Sequence, residues 1–171
     1  QARELKKDQE ELELMNQEFL EQLAAGSSVD LESRKDRKVS CQSYSQSGED
    51  AILRFIFRSM NRDLSQLTYL DLGANHAKFL SNTYSFYREG ASGVLVEANP
   101  SLIEELKTVR PRDTVVNRCI SNQADTTLTF YVMNGDGLST MDYEAAKSFM
   151  KENPAIQIEQ TVSVPSITIP E

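Results

Sequence analysis

Two short apolar runs, one carrying an acid and one ending in an acid, limit what this chain can fold into. The stretch from Tyr69 to Pro100 reads YLDLGANHAKFLSNTYSFYREGASGVLVEANP. The first run, residues 69–72, contains Asp71 and breaks at Gly73; the second, residues 94–96, ends in Glu97. Such runs, separated by a segment long enough for a helix, predict neighbouring parallel strands in a β-α-β unit. A glycine after the first strand allows a tight turn, and an acid after the second can hold a ribose. The distance from Gly73 to Glu97 is close to the roughly 20 residues expected between such a turn and its ribose-binding acid.

The surrounding sequence extends this alternation. Tyr44-Ser45-Gln46-Ser47-Gly48-Glu49-Asp50 opens a helix, with Ser47 as the expected N-cap and two acids in the first turn. Ile52, Leu53, Ile56, Phe57 and Met60 recur at helical spacing and predict one buried face. A helical or irregular segment follows the first strand at residues 81–88. Asn99-Pro100-Ser101 begins another helix, with Leu102, Ile103 and Leu106 inward, and Arg110-Pro111 stops it. Residues 114–117 form a third strand. The pattern predicts a three-layer α/β fold with a mostly parallel sheet.

Further on, Leu128, Phe130 and Val132 alternate with polar or outward residues, as in a half-buried strand. Residues 142–151 suit a short helix. Val162, Val164, Ile167 and Ile169 suit a last strand, in which Pro165 implies an edge or a bend. The chain starts at Gln1 and stops directly after that strand, so the expectation is a fold that lacks some of its C-terminal sequence.

Residues 1–43 are expected to form a separate N-terminal segment, and residues 44–171 the α/β domain. In the former, Leu5, Leu12, Met15, Phe19 and Leu23 share one helical face. The sevenfold spacing of Leu5, Leu12 and Phe19 offers a route to a homo-oligomer, although Asp8 and Gln22 stand at the alternate seam positions. Packing on the chain's own domain is the other reading of this helix. Gly26-Ser27-Ser28 ends it, and a polar linker follows.

The formal net charge of −8 argues against a nucleic-acid partner. The basic run Arg34-Lys35-Asp36-Arg37-Lys38 is short and lies in the linker. There is no apolar run of transmembrane length and no visible signal peptide. Cys41 and Cys119 have neither the number for a disulfide scaffold nor zinc spacing, which sets a cytoplasmic location as the expectation.

The ligand is narrowed by what the turn lacks. A dinucleotide site uses G-x-G-x-x-G so that backbone can approach a pyrophosphate. Here the turn is Gly73-Ala74-Asn75-His76-Ala77-Lys78, with one glycine. No phosphate loop occurs either. A nucleoside without phosphates suits this turn better. S-adenosylmethionine offers a ribose for Glu97 and an ammonium for Asp71.

The ordered set Ser45-Gln46-Ser47-Gly48-Glu49-Asp50, Asp71-Leu72-Gly73-Ala74-Asn75-His76, Ser81-Asn82-Thr83, residues 93–97 and Arg110-Pro111 resembles the FkbM family of S-adenosylmethionine-dependent methyltransferases. The resemblance runs from about residue 44 to residue 141. It implies a Rossmann-like methyltransferase fold and transfer of a methyl group to an oxygen of a sugar, glycan or secondary metabolite. It also implies a cofactor turn at Asp71, Gly73, Ala74 and Asn75, with Glu97 after the second strand. Two departures stand out. Ala77 occupies a position where many members have a second glycine, and the Lys-x-Asp-x-Glu-Gly type segment does not occur before Glu171.

Each candidate has a structural reading beside the functional one. Asp71 and Gly73 also suit any strand-end turn, and Asn75 also suits a helix cap. His76, the single histidine, can serve as a general base or simply flank the turn. Gln46 and Asp50 can line the cofactor mouth, or Asp50 can be a helix-start charge. Ser121 and Asn122 follow the third strand, where an adenine would lie. Residues 136–140 form a substrate lid or only a turn. A non-catalytic interaction module on the same fold and, less favoured, an NAD-dependent oxidoreductase are the rival functions.

Overall fold

The structure, a computed structural model, describes residues 42–169. The expected N-terminal helix, the basic run at residues 34–38 and Cys41 lie outside the described residues. Helix α1 spans Glu49–Ser59, strand β1 Thr68–Leu72, helix α2 Tyr84–Arg88, strand β2 Ser92–Glu97, helix α3 Ile103–Val109 and strand β3 Thr114–Asn117. Strand β4 (Cys119–Ile120), strand β5 (Thr127–Met133), helix α4 (Tyr143–Glu152) and strand β6 (Ile158–Ile167) complete the order.

The first three strands form a parallel sheet in the order β1-β2-β3. The register aligns Asp71 with Leu95 and Glu97 with Asn117. Side chains alternate across such a sheet. Tyr69, Leu95 and Val115 therefore share a face, and they pack with Ala74, Ala77, Leu106 and Val109 from the crossover segments. Tyr69 also joins a second cluster built on Leu64, Phe86 and Ala91. The opposite face of β1 is open, with Leu70 54 % and Leu72 43 % exposed. Helices thus cover one face of β1 among the described residues. The architecture is mixed α/β with a three-stranded parallel sheet.

The second sheet is mixed, in the order β4-β6-β5. Strand β6 runs antiparallel to β5 and parallel to β4. Pro165 sits inside this central strand, where an edge or a bend was expected. The neighbouring Ser166 N–H points to the β5 side, donating to the Thr126 carbonyl at 2.7 Å. Alternation turns the Pro165 nitrogen to the other side, one residue before β4 pairing begins at Ser166. No ladder hydrogen bond is lost there.

Two local expectations for α1 are corrected. Its N-cap is Gly48 at φ +89°, not Ser47, and no side chain caps at that residue. The start of the helix is instead tied down by Asp50, which is fully buried. The Asp50 carboxylate accepts from Ser43 Oγ at 2.6 Å, Tyr44 N at 2.9 Å, Ser45 Oγ at 2.8 Å and Ala51 N at 2.8 Å. Burial works against the charge, but these hydrogen bonds outweigh it and hold the carboxyl below its usual range. The apolar stripe is real, yet it is not a buried face. Ile52, Phe55, Ile56 and Met60 are exposed, and Phe57 turns inward against Phe86.

A buried cation fastens the crossover segments to the sheet. Arg110 is fully buried directly after α3. It donates to Asp113 at 2.8 Å, Ser81 Oγ at 3.2 Å, Tyr69 Oη at 2.9 Å and Thr83 Oγ1 at 2.9 Å. Asp113 also accepts from the Gly93 N–H at 2.8 Å. This network satisfies a charge that burial would otherwise penalise heavily.

Candidate functional site

The C-terminal ends of β1 and β2 open into a cleft of about 240 Å³. Gly73, Asn75, Val96, Glu97 and Leu102 line one part of it. Arg118, Cys119, Ile120, Phe130 and Met141 line another, with Gly137 and Ser139 from the loop after β5. The cleft therefore spans both sheets. Ligands in open α/β sheets bind outside the carboxyl ends of the strands, which is where this cleft lies.

The turn after β1 has the geometry that its glycine implies. Gly73 adopts φ +77° with open space around its α-carbon, so conformation alone favours glycine there. The Gly73 and Ala74 N–H groups both donate to the Val96 carbonyl, at 2.8 and 3.1 Å. Asn75 follows at φ +54°, a conformation asparagine tolerates better than most residues. Ala74 and Ala77 are buried beneath the turn against Leu95 and Leu106. Ala77 is wholly buried, so its methyl packs into the core.

Glu97 stands at the floor of the cleft, 6 % exposed. One carboxylate oxygen accepts from Asn75 N at 2.8 Å and the other from Asn99 N at 2.7 Å. The acid thus binds the turn after β1 to the turn after β2. Each carboxylate oxygen has a further lone pair beyond these two bonds. Cys119, buried on the same cleft, is a free thiol. Burial and then the negative charge of Glu97 push that thiol upward from its ordinary value, which keeps it protonated.

The remaining candidates fall elsewhere. Asp71 accepts from Thr83 Oγ1 at 2.6 Å, and Thr83 in turn accepts from Arg110. Asp71 thereby joins the network under the sheet and is not part of this cleft's wall. Gln46 is exposed before α1, and Asp50 serves the knot described above. Ser121 follows the wall residue Ile120, and its N–H donates to the Ile167 carbonyl at 3.0 Å. Its hydroxyl lies 3.4 Å from Asn122 Oδ1.

His76 is held between two acids. Its Nδ1 lies 3.1 Å from Glu105 Oε2 on α3, and its Nε2 lies 3.1 Å from Asp136 Oδ1 in the loop after β5. Glu105 also accepts from the Ala77 N–H at 3.0 Å. Partial burial disfavours the imidazolium, but hydrogen bonds to Glu105 and Asp136 outweigh it and raise the group above its ordinary value. A histidine whose two nitrogens both face carboxylates has no lone pair free for a substrate proton.

Among the described residues, no group of three or more His, Cys, Asp or Glu side chains is placed to hold a metal ion. None of their helices is long and apolar enough to cross a membrane. No family model matches the chain, and neither a curated protein nor a solved structure matches it.

Proposed function

We propose that the protein is an S-adenosylmethionine-dependent O-methyltransferase acting on a sugar, glycan or other small hydroxylated molecule. The observation that carries this reading is Glu97. It is an acid at the end of β2, nearly buried, facing a single-glycine turn, with lone pairs still open to two hydroxyls. The turn brings backbone close to a ligand without the further glycines that a pyrophosphate needs. Leu102, Ile120, Phe130 and Met141 supply apolar surface of the kind that accepts a flat heterocycle.

When bound, S-adenosylmethionine supplies an activated methyl group on a sulfonium. The chain's own residues bind and orient: Glu97 accepts from the ribose, the Gly73–Asn75 turn sets the depth of the ligand, and the apolar wall excludes water. Rate enhancement by placement of two reactants in line requires little else. His76, engaged by Glu105 and Asp136, acts as a base only after leaving one of them.

Calorimetry with S-adenosylhomocysteine, S-adenosylmethionine and NAD tests the reading. Binding of S-adenosylhomocysteine tighter than NAD is expected; preference for NAD overturns it. One observation favours a second reading, a non-catalytic interaction module. It is the exposed apolar side chains Ile52 and Phe55 on α1 and Met60 directly after it, with Leu70 on β1. Absence of binding to any of the three compounds would move the assignment there.

A further inference from the structure

We propose that His76 is a proton-operated latch on the cleft. As imidazolium it ties the tip of the loop after β5 to helix α3, and as neutral imidazole it lets one of them go. The latch regulates the site proposed above, yet it does not depend on which ligand occupies that site.

The argument begins with donors and acceptors. Ionised carboxylates only accept hydrogen bonds, and a neutral imidazole has one N–H donor and one acceptor nitrogen. Two contacts of 3.1 Å, one from each ring nitrogen to a carboxylate oxygen, are both satisfied only when both nitrogens carry protons. Loss of one proton leaves a nitrogen lone pair facing a carboxylate. That contact is then repulsive and opens.

Anchoring decides which contact opens. Glu105 is fixed on α3 and is also held by the Ala77 N–H at 3.0 Å. Asp136 is half-exposed and lies on the loop tip. The loop is pinned on either side of that tip. Asn134 donates from its backbone to the Gln157 carbonyl at 3.1 Å, and Thr140 exchanges two hydrogen bonds with Tyr131 at 2.8 and 3.0 Å. Between these pins, His76–Asp136 is the ion pair that joins the tip to the β1–α2 segment. The Asp136 side therefore yields.

Movement of the tip bears on the cleft directly. Gly137, the residue after Asp136, lines it, as does Ser139. Among the described residues, the charged groups facing the imidazole are Glu105 from α3 and Asp136 from the loop. Lys78, on the histidine's own segment, turns instead to the Tyr84 ring, 5.8 Å from its centroid. Phe79 lies against the imidazole with ring centroids 6.1 Å apart and carries no charge.

The chain has a single histidine, so imidazole NMR on the untagged protein reports this group alone. The experiment records the ring ¹⁵N shifts across neutral pH, and hydrogen exchange of peptides covering residues 135–138 at about pH 5.5 and about pH 8, corrected for intrinsic rates. Wild type, His76→Gln and Asp136→Asn are compared, without any added nucleoside. The expected result is a midpoint above the ordinary histidine value of about 6.5. Tip exchange, relative to the rest of the chain, should accelerate about two- to five-fold at the higher pH, the range of an exposed ion pair. Both variants should exchange fast at either pH. Asp136 is exposed, so Asp136→Asn remains informative if His76→Gln folds poorly. A midpoint at or below the ordinary value, a tip equally protected at both pH values, or a pH step that survives in either variant overturns the latch. Success here with no nucleoside binding would leave the latch standing and remove the methyltransferase reading instead.

Discussion

Glu97 Oε2 accepts a hydrogen bond from the backbone N–H of Asn75 at 2.8 Å. With the bond from Asn99 N to the other oxygen, one side chain sets the distance between two turns. Its role in holding the cleft's shape and its proposed role in holding a ribose are inseparable. Glu97→Gln offers one acceptor where two are needed and turns an amide N–H₂ toward a backbone donor. Charge-assisted bonds of this kind contribute about 1.5–3 kcal/mol. The variant should lose stability of that order in urea titration and also bind S-adenosylhomocysteine more weakly. Full stability together with full affinity would place the ribose elsewhere.

Asp50→Asn should destabilise the start of α1. The carboxylate receives four donors, and an amide oxygen cannot accept them all. A loss of about 1.5–3 kcal/mol is expected in chemical denaturation. The pH dependence has a definite sign. The folded carboxyl sits below its unfolded value of about 3.9, so its contribution is present above that value and is lost as pH falls through the folded one. Acid titration of wild type should therefore show a loss of stability below about pH 4 that is reduced in Asp50→Asn.

Arg110→Met should be among the most damaging single changes. The substitution removes the guanidinium and leaves the Asp113 carboxylate buried, its side chain showing no exposure. Breaking a buried pair from one side costs about 3–5 kcal/mol. Arg110→Lys should recover only part of this, because one ammonium cannot reach Asp113, Ser81, Tyr69 and Thr83 in the fork geometry of arginine. Thermal denaturation of the two variants gives the ordering; equal melting temperatures for both and wild type would contradict it.

Gly93→Ala should separate β1 from β2. A Cβ at Gly93 would overlap the Tyr69 carbonyl oxygen and the Tyr69 ring. Overpacking of this kind costs about 1–3 kcal/mol. The check is a denaturant midpoint, with hydrogen exchange at β1 amides rising more than exchange at β5 amides. A midpoint unchanged from wild type would mean that the strands adjust at no cost.

Much of the strand layout was legible because alternation and breaks leave a local trace. Residues 114–117 and 127–133 are strands as the pattern implied, and Asn99 caps the following turn through its side chain. The apolar stripe of α1 was also legible, but periodicity does not say what covers a face. Here Ile52 and Phe55 meet solvent. Arg110 looked like a helix stop because its partners, Ser81 and Tyr69, are far away in sequence. In the cleft, Gly73 and Glu97 follow from the spacing of the two runs, and Asn75 from the family resemblance. Arg118, Ile120, Phe130 and Met141 were not, since nothing local marks a residue that reaches a cleft by the pairing of β4, β5 and β6. Glu105 carried no mark in the sequence either, because its partners His76 and Ala77 lie far from it along the chain.

The cleft takes its lining from two separately hydrogen-bonded sheets. Any molecule that fills it becomes a tie between them, and mass action then couples occupancy to the persistence of both. At a free concentration of 100 times Kd, a ligand bound only to the folded chain adds about 2.7 kcal/mol. Strands β5 and β6, which touch no part of the Gly73 turn through a ladder, would share in that gain. A melting experiment that follows the second sheet alone would thus register a ligand whose first contacts are with Glu97.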